Sequence, residues 1–114
     1  MSRWQALNIT RRGAAMDRPG CYAIFANGKP VYIGQSESVR RRIDGYRCAN
    51  VPGQGVDQFD GTTRTPWGEW RWAEGGITAK VKYANKYGEQ LMVEARLIRK
   101  LRPRFNLRGL GYGG

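Results

Sequence analysis

The dipeptide Asn27-Gly28 constrains this chain more than any other feature. Both residues accept positive φ, and they stand between two β-rich runs, residues 21–25 and 31–33, within GCYAIFANGKPVYIG. An antiparallel hairpin is therefore expected. Pro30 opens the second strand, where its missing N–H does little harm. Loop length decides where Tyr22 and Tyr32 fall. A two-residue loop pairs Tyr32 with Ala23 and separates the tyrosines onto opposite faces. A three-residue loop, with Gly28 as the left-handed bulge residue, sets Tyr22 opposite Tyr32. The second is expected, because a shared site needs both hydroxyls on one side. Pattern alone favours ordinary half-buried strand tyrosines over a shared site.

The rest of the chain reads around that hairpin. Residues 36–46, SESVRRRIDGY, predict a helix with Ser36 as N-cap and Val39, Ile43 and Tyr46 on one face. Residues 86–101 predict a second helix, rich in helix formers and stopped by Pro103. ITAKVKYA and EWRWA read as a further pair of strands. Residues 1–19 read as a basic arm, with a short helix around Trp4, Leu7 and Ile9. Residues 47–76 read as an insertion and 107–114 as a loose, glycine-rich tail. These elements are those of a single α+β domain.

Composition narrows the chemistry. Twenty Lys and Arg stand against nine Asp and Glu in 114 residues, a net charge of +11. A polyanionic partner is the first reading of such an excess, nucleic acid before an anionic membrane, since no basic amphipathic helix carries an aromatic face. The chain has no histidine, so a catalytic base must be Tyr, Lys, a carboxylate or metal-bound water. Two cysteines make no disulfide framework, and no apolar run reaches the ~20 residues of a membrane span. A soluble, cytoplasmic protein is expected.

One carboxylate is out of place. On a helix over 86–101, Leu91, Val93, Ala95, Leu97, Ile98 and Leu101 form an apolar arc, with Glu94 in its middle. A buried carboxylate needs a partner. An internal salt bridge to an arginine of the 36–46 helix and a metal or acid–base role fit the pattern equally.

Gly20-Cys21-Tyr22, then Tyr32-Ile33-Gly34 ten residues on, Arg42 ten residues after Tyr32, Glu94 within EARLIRKLRPRFN, and Pro103-x-x-Asn106 stand in order. This set resembles the GIY-YIG nuclease family over residues 20–44 and 89–106. Cys21 replaces the usual aliphatic residue, and Gln35 stands where some relatives carry lysine. The resemblance implies an α+β fold with a mainly antiparallel sheet of three strands, with room for a fourth, flanked by helices, and a metal-dependent DNA endonuclease leaving 5′-phosphate and 3′-hydroxyl ends. It implies Glu94 as the ligand of Mg²⁺ or Mn²⁺, Arg42 on the scissile phosphate, Tyr22 or Tyr32 orienting and deprotonating the attacking water, and Asn106 positioning a site group. Nearby Arg and metal charges would have to lower a tyrosine pKa of ~10 for such a base.

Gly34, Gln35, Lys80, Lys82, Arg102 and Arg104 are expected to contact nucleic acid, and Arg96, Arg99 and Arg108 add basic charge. Trp67, Trp70 and Trp72 could stack on bases, although core packing explains most tryptophans. Nucleases built on Asp…(Asp/Glu)-x-Lys are excluded, since no acid stands two residues before a lysine. The competing reading is an inactive basic module of the same fold, and a monomer and a homodimer remain equally open. A bacterial or phage origin fits, with modest sequence preference or selectivity for DNA structure.

Overall fold

A computed structural model describes residues 1–9, 11–50, 77–103 and 106. Asn27 and Gly28 both take positive φ, 51° and 82°, and Ala26 pairs with Lys29 across them. This is the two-residue mirror-image turn, whose twist suits the flanking strands β2 (Gly20–Ala26) and β3 (Lys29–Ser36). The three-residue loop expected from sequence does not form. The tyrosines nevertheless share a face, for a different reason. Phe25 pairs with Pro30 but Ile24 pairs with Tyr32, so Val31 is an extra residue in β3. That bulge shifts the register by one and turns Tyr32 to the side of Tyr22. The two are diagonal rather than opposite: Tyr22 faces Gly34, and Tyr32 faces Ile24.

The sheet is antiparallel throughout, in the order β1-β4-β2-β3, where β1 is Gln5–Leu7 and β4 is Ile77–Tyr83. The fourth strand is the N-terminal segment, read from sequence as a short helix. Leu7 and Ile9 are both buried, a period of two rather than 3.6, and β4 supplies hydrogen-bonding partners for residues 5–7. β4 lies between β1 and β2; EWRWA, its expected partner, lies outside the described residues, as do Arg104, Arg108 and the three tryptophans 67, 70 and 72. Residues 11–18 are no loose arm either. The backbone carbonyls of Arg18 and Met16 accept from the N–H groups of Val39 and Arg40, the first turn of helix α1 (Val39–Asn50). The start of α1 is thus satisfied by the chain itself. Ser38, not Ser36, caps it, its Oγ accepting from Arg41 N–H at 3.2 Å, while Ser36 Oγ turns the preceding residues by accepting from Ser38 N–H.

The core fills one face of the sheet. Tyr22, Ile24, Ala79, Val81, Tyr83 and Leu7 pack there against Val39, Ile43 and Tyr46 of α1. Full burial of an aliphatic side chain such as Val39 or Ile43 stabilises by roughly 1.5–3 kcal/mol. The other face carries Cys21, Ala23 and Ile33, all buried, beneath helix α2 (Glu89–Leu101), and the Cys21 thiol donates to the Gln90 carbonyl at 3.1 Å. α2 begins three residues later than predicted, after Gly88 at φ 79°, and ends with Arg102 in the left-handed region and its N–H on the Ile98 carbonyl. Its buried stripe is narrower than the predicted arc. Val93, Glu94, Leu97 and Ile98 are half-buried and Gln90 is buried, whereas Leu91, Ala95 and Leu101 face out. No described helix is long and apolar enough to cross a membrane.

Candidate active site

Three phenols meet on the α1 side of the hairpin. The rings of Tyr22 and Tyr32 lie 6.2 Å apart, and Tyr46 of α1 meets Tyr22 edge-on at 5.9 Å. The hydroxyls of Tyr22 and Tyr46 are hydrogen-bonded at 2.9 Å, and the Tyr46 hydroxyl also bonds that of Tyr32. Sequence reasoning placed Tyr46 only on an apolar helix face. The signal that it is more was its helical phase, one turn beyond Ile43 and Arg42, on the side of the tyrosine pair. Tyr22 is 1% exposed and buried in the core; Tyr32 is half-buried. Gly34, expected at the nucleic acid, is itself buried. The Tyr22 ring lies over it, and a Cβ at this position would stand within that ring.

Glu94 and Asn106 arrive at the free edge of β3. On an edge strand alternate residues turn N–H and C=O outward, where they need partners. Ile33 and Gln35 are two of these. The Asn106 side chain takes both groups of Ile33, accepting from its N–H at 2.7 Å and donating to its carbonyl at 2.8 Å. The Gln35 N–H donates to the Glu94 carboxylate. α2 therefore delivers its carboxylate to the strand edge beside Tyr32. The internal salt bridge considered from sequence is absent: among the described residues neither Glu94 nor Arg42 has an ion-pair partner. Arg42, half-buried in the first turns of α1, is close enough to both Tyr22 and Tyr32 to favour their ionised forms.

Burial opposes it more strongly. Desolvation, then the neighbouring phenols, hold Tyr22 well above its ordinary value, and desolvation, Tyr46 and Glu94 raise Tyr32 too. The lowering needed for a tyrosine base is thus not supplied by the protein's own charges, because one guanidinium does not offset removal from water. Glu94 is also raised, by burial, with the Gln35 N–H opposing. Cys21 is pushed up to about 12, first by burial and then by Glu94, so it behaves as an inert core thiol.

A cleft of about 690 Å³ opens beside this edge, lined in part by Gln35, Ser36, Arg41, Arg42, Gln90 and Leu91. The other predicted contacts are dispersed. Lys80 is exposed over the Phe25 ring at 5.5 Å, Lys82 lies over Trp4 at 5.0 Å, and Arg102 is exposed at the end of α2. The structure thus gathers Tyr22, Tyr32, Arg42, Glu94, Asn106 and Gln35, and leaves Lys80, Lys82 and Arg102 outside the group.

No family model matches the chain. It is 30% identical over 90 residues to the UvrABC system protein C of Bradyrhizobium diazoefficiens and 31% identical over 90 residues to that of Rhizobium johnstonii, covering 78% of the chain in each case. The same protein of Porphyromonas gingivalis W83 is 29% identical over 94 residues. The chain spans about a tenth of the length of these curated relatives, 11–13%. Among solved structures, the GIY-YIG N-terminal endonuclease domain of UvrC from Thermotoga maritima superposes with a TM-score of 0.61 for an asparagine-to-alanine point mutant bound to its catalytic divalent cation (21% identity, 86% of this chain and 92% of that one). The magnesium-bound form gives a TM-score of 0.59 at 22% identity, over 86% of this chain and 93% of that one. Three tyrosine-to-phenylalanine mutants of that domain also match, and their tyrosines are spaced ten and fourteen residues apart, as are Tyr22, Tyr32 and Tyr46 here. With its sheet and helices superposing on that domain and its Gly-Cys-Tyr and Tyr-Ile-Gly strands paired in one hairpin, the chain has the fold of the GIY-YIG endonuclease domain.

Proposed function

We propose that this protein is a divalent-metal-dependent endonuclease that hydrolyses DNA phosphodiester bonds by in-line attack of water, leaving 5′-phosphate and 3′-hydroxyl ends. One observation carries the reading. A half-buried carboxylate, raised by burial and with no ion-pair partner among the described residues, stands at the strand edge near the Tyr32 phenol, and Arg42, also without such a partner among them, lies near the same phenol. A purely structural acid would be expected to be paired, and the lack of such a partner supports the reading of Glu94 as a cation ligand. The donor set suits a hard, hydrated ion. Among the described residues no three acidic or thiol groups cluster, so Mg²⁺ or Mn²⁺ held by Glu94 would keep most of its waters.

When bound, that ion supplies Lewis-acid stabilisation of the scissile phosphate and the departing 3′ oxygen. The chain's own residues do the rest. Arg42 offers a permanent, planar pair of donors to the phosphate oxygens, where negative charge accumulates. Tyr32, half-buried and next to Glu94, would orient the attacking water and, as its phenolate, take the water's proton; Arg42 favours that ionised form, and a cation on Glu94 would add positive charge in the same sense. Tyr22, sealed in the core, has no access to water. Its part is to fix Tyr46, whose hydroxyl in turn holds Tyr32. Asn106 positions Tyr32 indirectly, by pinning the strand residue beside it. The +11 charge supports a polyanionic substrate with a strong salt dependence, to which Lys80, Lys82, Arg102 and Arg104 contribute.

The test is nicking of supercoiled plasmid in Mg²⁺, beside Glu94→Gln. The wild type is expected to relax the plasmid and the variant to leave it intact. No nicking by the wild type, or equal nicking by both, leaves only a basic nucleic-acid binder.

A further inference from the structure

Gln90 is the most anomalous polar side chain among the described residues. It is 4% exposed, and its Oε1 is buried with no hydrogen-bond partner. Such an acceptor is a net cost to the fold unless something donates to it. Its backbone carbonyl accepts from the Cys21 thiol of β2, which holds this turn of α2 on the sheet. Gln90 also lines the cleft that Gln35 and Arg42 border. It lies four residues before Glu94, on the same face of α2. Side chains on a helix lean toward its N-terminus, so the Glu94 carboxylate leans over the turn that carries Gln90.

We infer that Gln90 is a positioning residue of the metal site: its Oε1 accepts a hydrogen bond from a water on the cation held by Glu94. The inference rests on the reading of Glu94 as the ligand. A cation with one protein ligand retains several waters, each a strengthened donor needing an acceptor. Gln90 supplies a neutral one, which orients a water without making the pocket more negative. Outer partners of this kind set metal affinity by tenfold or more.

The experiment is Mn²⁺ binding to the full chain by titration calorimetry, without DNA, for wild type, Glu94→Gln, Gln90→Leu and Gln90→Glu. The wild type should bind one ion and Glu94→Gln none. Gln90→Leu should bind about tenfold more weakly, while its metal-free melting temperature stays level or rises, because an orphaned acceptor has been removed. Gln90→Glu, which keeps an oxygen in place, should bind at least as tightly as the wild type. Unchanged affinity in Gln90→Leu, with binding still dependent on Glu94, overturns the inference alone. Binding independent of Glu94, or absent from the wild type, overturns the reading beneath it. Should Gln90→Leu fail to fold, weaker binding by Gln90→Glu overturns the inference and equal or tighter binding upholds it.

Discussion

Replacing Asn106 by alanine removes two hydrogen bonds at once, those of 2.7 and 2.8 Å to the N–H and carbonyl of Ile33. Each such bond contributes about 0.5–1.5 kcal/mol net, or about 1–3 kcal/mol for the pair. Ile33 lies on the edge strand, where water can replace the lost side chain, so the lower half of that range, about 1–2 kcal/mol, is expected. For a chain of this size the melting temperature should fall by about 4–8 °C. Hydrogen exchange localises the effect: the Ile33 amide should lose protection while amides in the centre of β2 and β4 change only with global stability. Plasmid nicking should fall by about ten- to a hundredfold, because a small displacement of Tyr32 misaligns the reacting groups. Asn106→Asp sharpens the test. Its carboxylate still accepts from the Ile33 N–H but sets a second lone pair against the Ile33 carbonyl, which raises its folded pKa above the unfolded value of about 3.9. The penalty is therefore absent below that value and grows as pH rises through the folded pKa. A melt of Asn106→Ala within about 0.3 kcal/mol of wild type, well under the expected loss, with Ile33 exchange unchanged, refutes the reasoning.

Two further outcomes follow from the same geometry. Tyr46→Phe leaves the fully buried Tyr22 hydroxyl without its 2.9 Å partner and should destabilise by about 1–3 kcal/mol, while the double variant with Tyr22→Phe should recover part of that loss in a urea-denaturation cycle; strict additivity would show that the pair is not coupled. Burial raises the Glu94 carboxyl above its ordinary 4.5, so the folded protein holds that proton more tightly than the unfolded chain. Stability from this group is then full below that value and is lost as pH rises through the folded one. Metal-free Glu94→Gln should consequently melt above wild type near neutral pH and level with it in acid, and Mg²⁺ should raise only the wild type; a wild type that melts higher at neutral pH without metal contradicts this assignment.

The orphaned Gln90 oxygen, the raised Glu94 and the two raised phenols are all costs of removing polar groups from water. They flank one hairpin: Glu94 at the free edge of β3, Tyr22 and Tyr32 on its α1 side, and Gln90 on its α2 side. Elsewhere the described core on the α1 face is apolar apart from bonded tyrosines. Local conflict with packing at a site of chemistry is the pattern expected when binding, rather than folding, has set the residue types.

What the sequence determined was mostly local. Asn27-Gly28 dictated a tight turn because both residues accept positive φ, and the helix formers of 89–101 with Pro103 beyond them dictated α2. The ordered motif residues gave the resemblance and singled out Tyr22, Tyr32, Arg42, Glu94 and Asn106, because chemistry restricts residue types at fixed spacings. Other features depended on contacts between distant segments, which no local pattern records. β1 is a strand because β4 offers it hydrogen bonds, although its residues alone allow a helix. The Val31 bulge, which puts Tyr32 beside Tyr22, is a choice of register made by pairing and core packing rather than by the turn. Tyr46 became a partner of both phenols, and Glu94 and Asn106 came to hold the outward groups of β3, only when the helices were docked on the sheet. Sequence dictates which groups are present and what each segment prefers, but long-range packing decides which of them are brought within hydrogen-bonding distance.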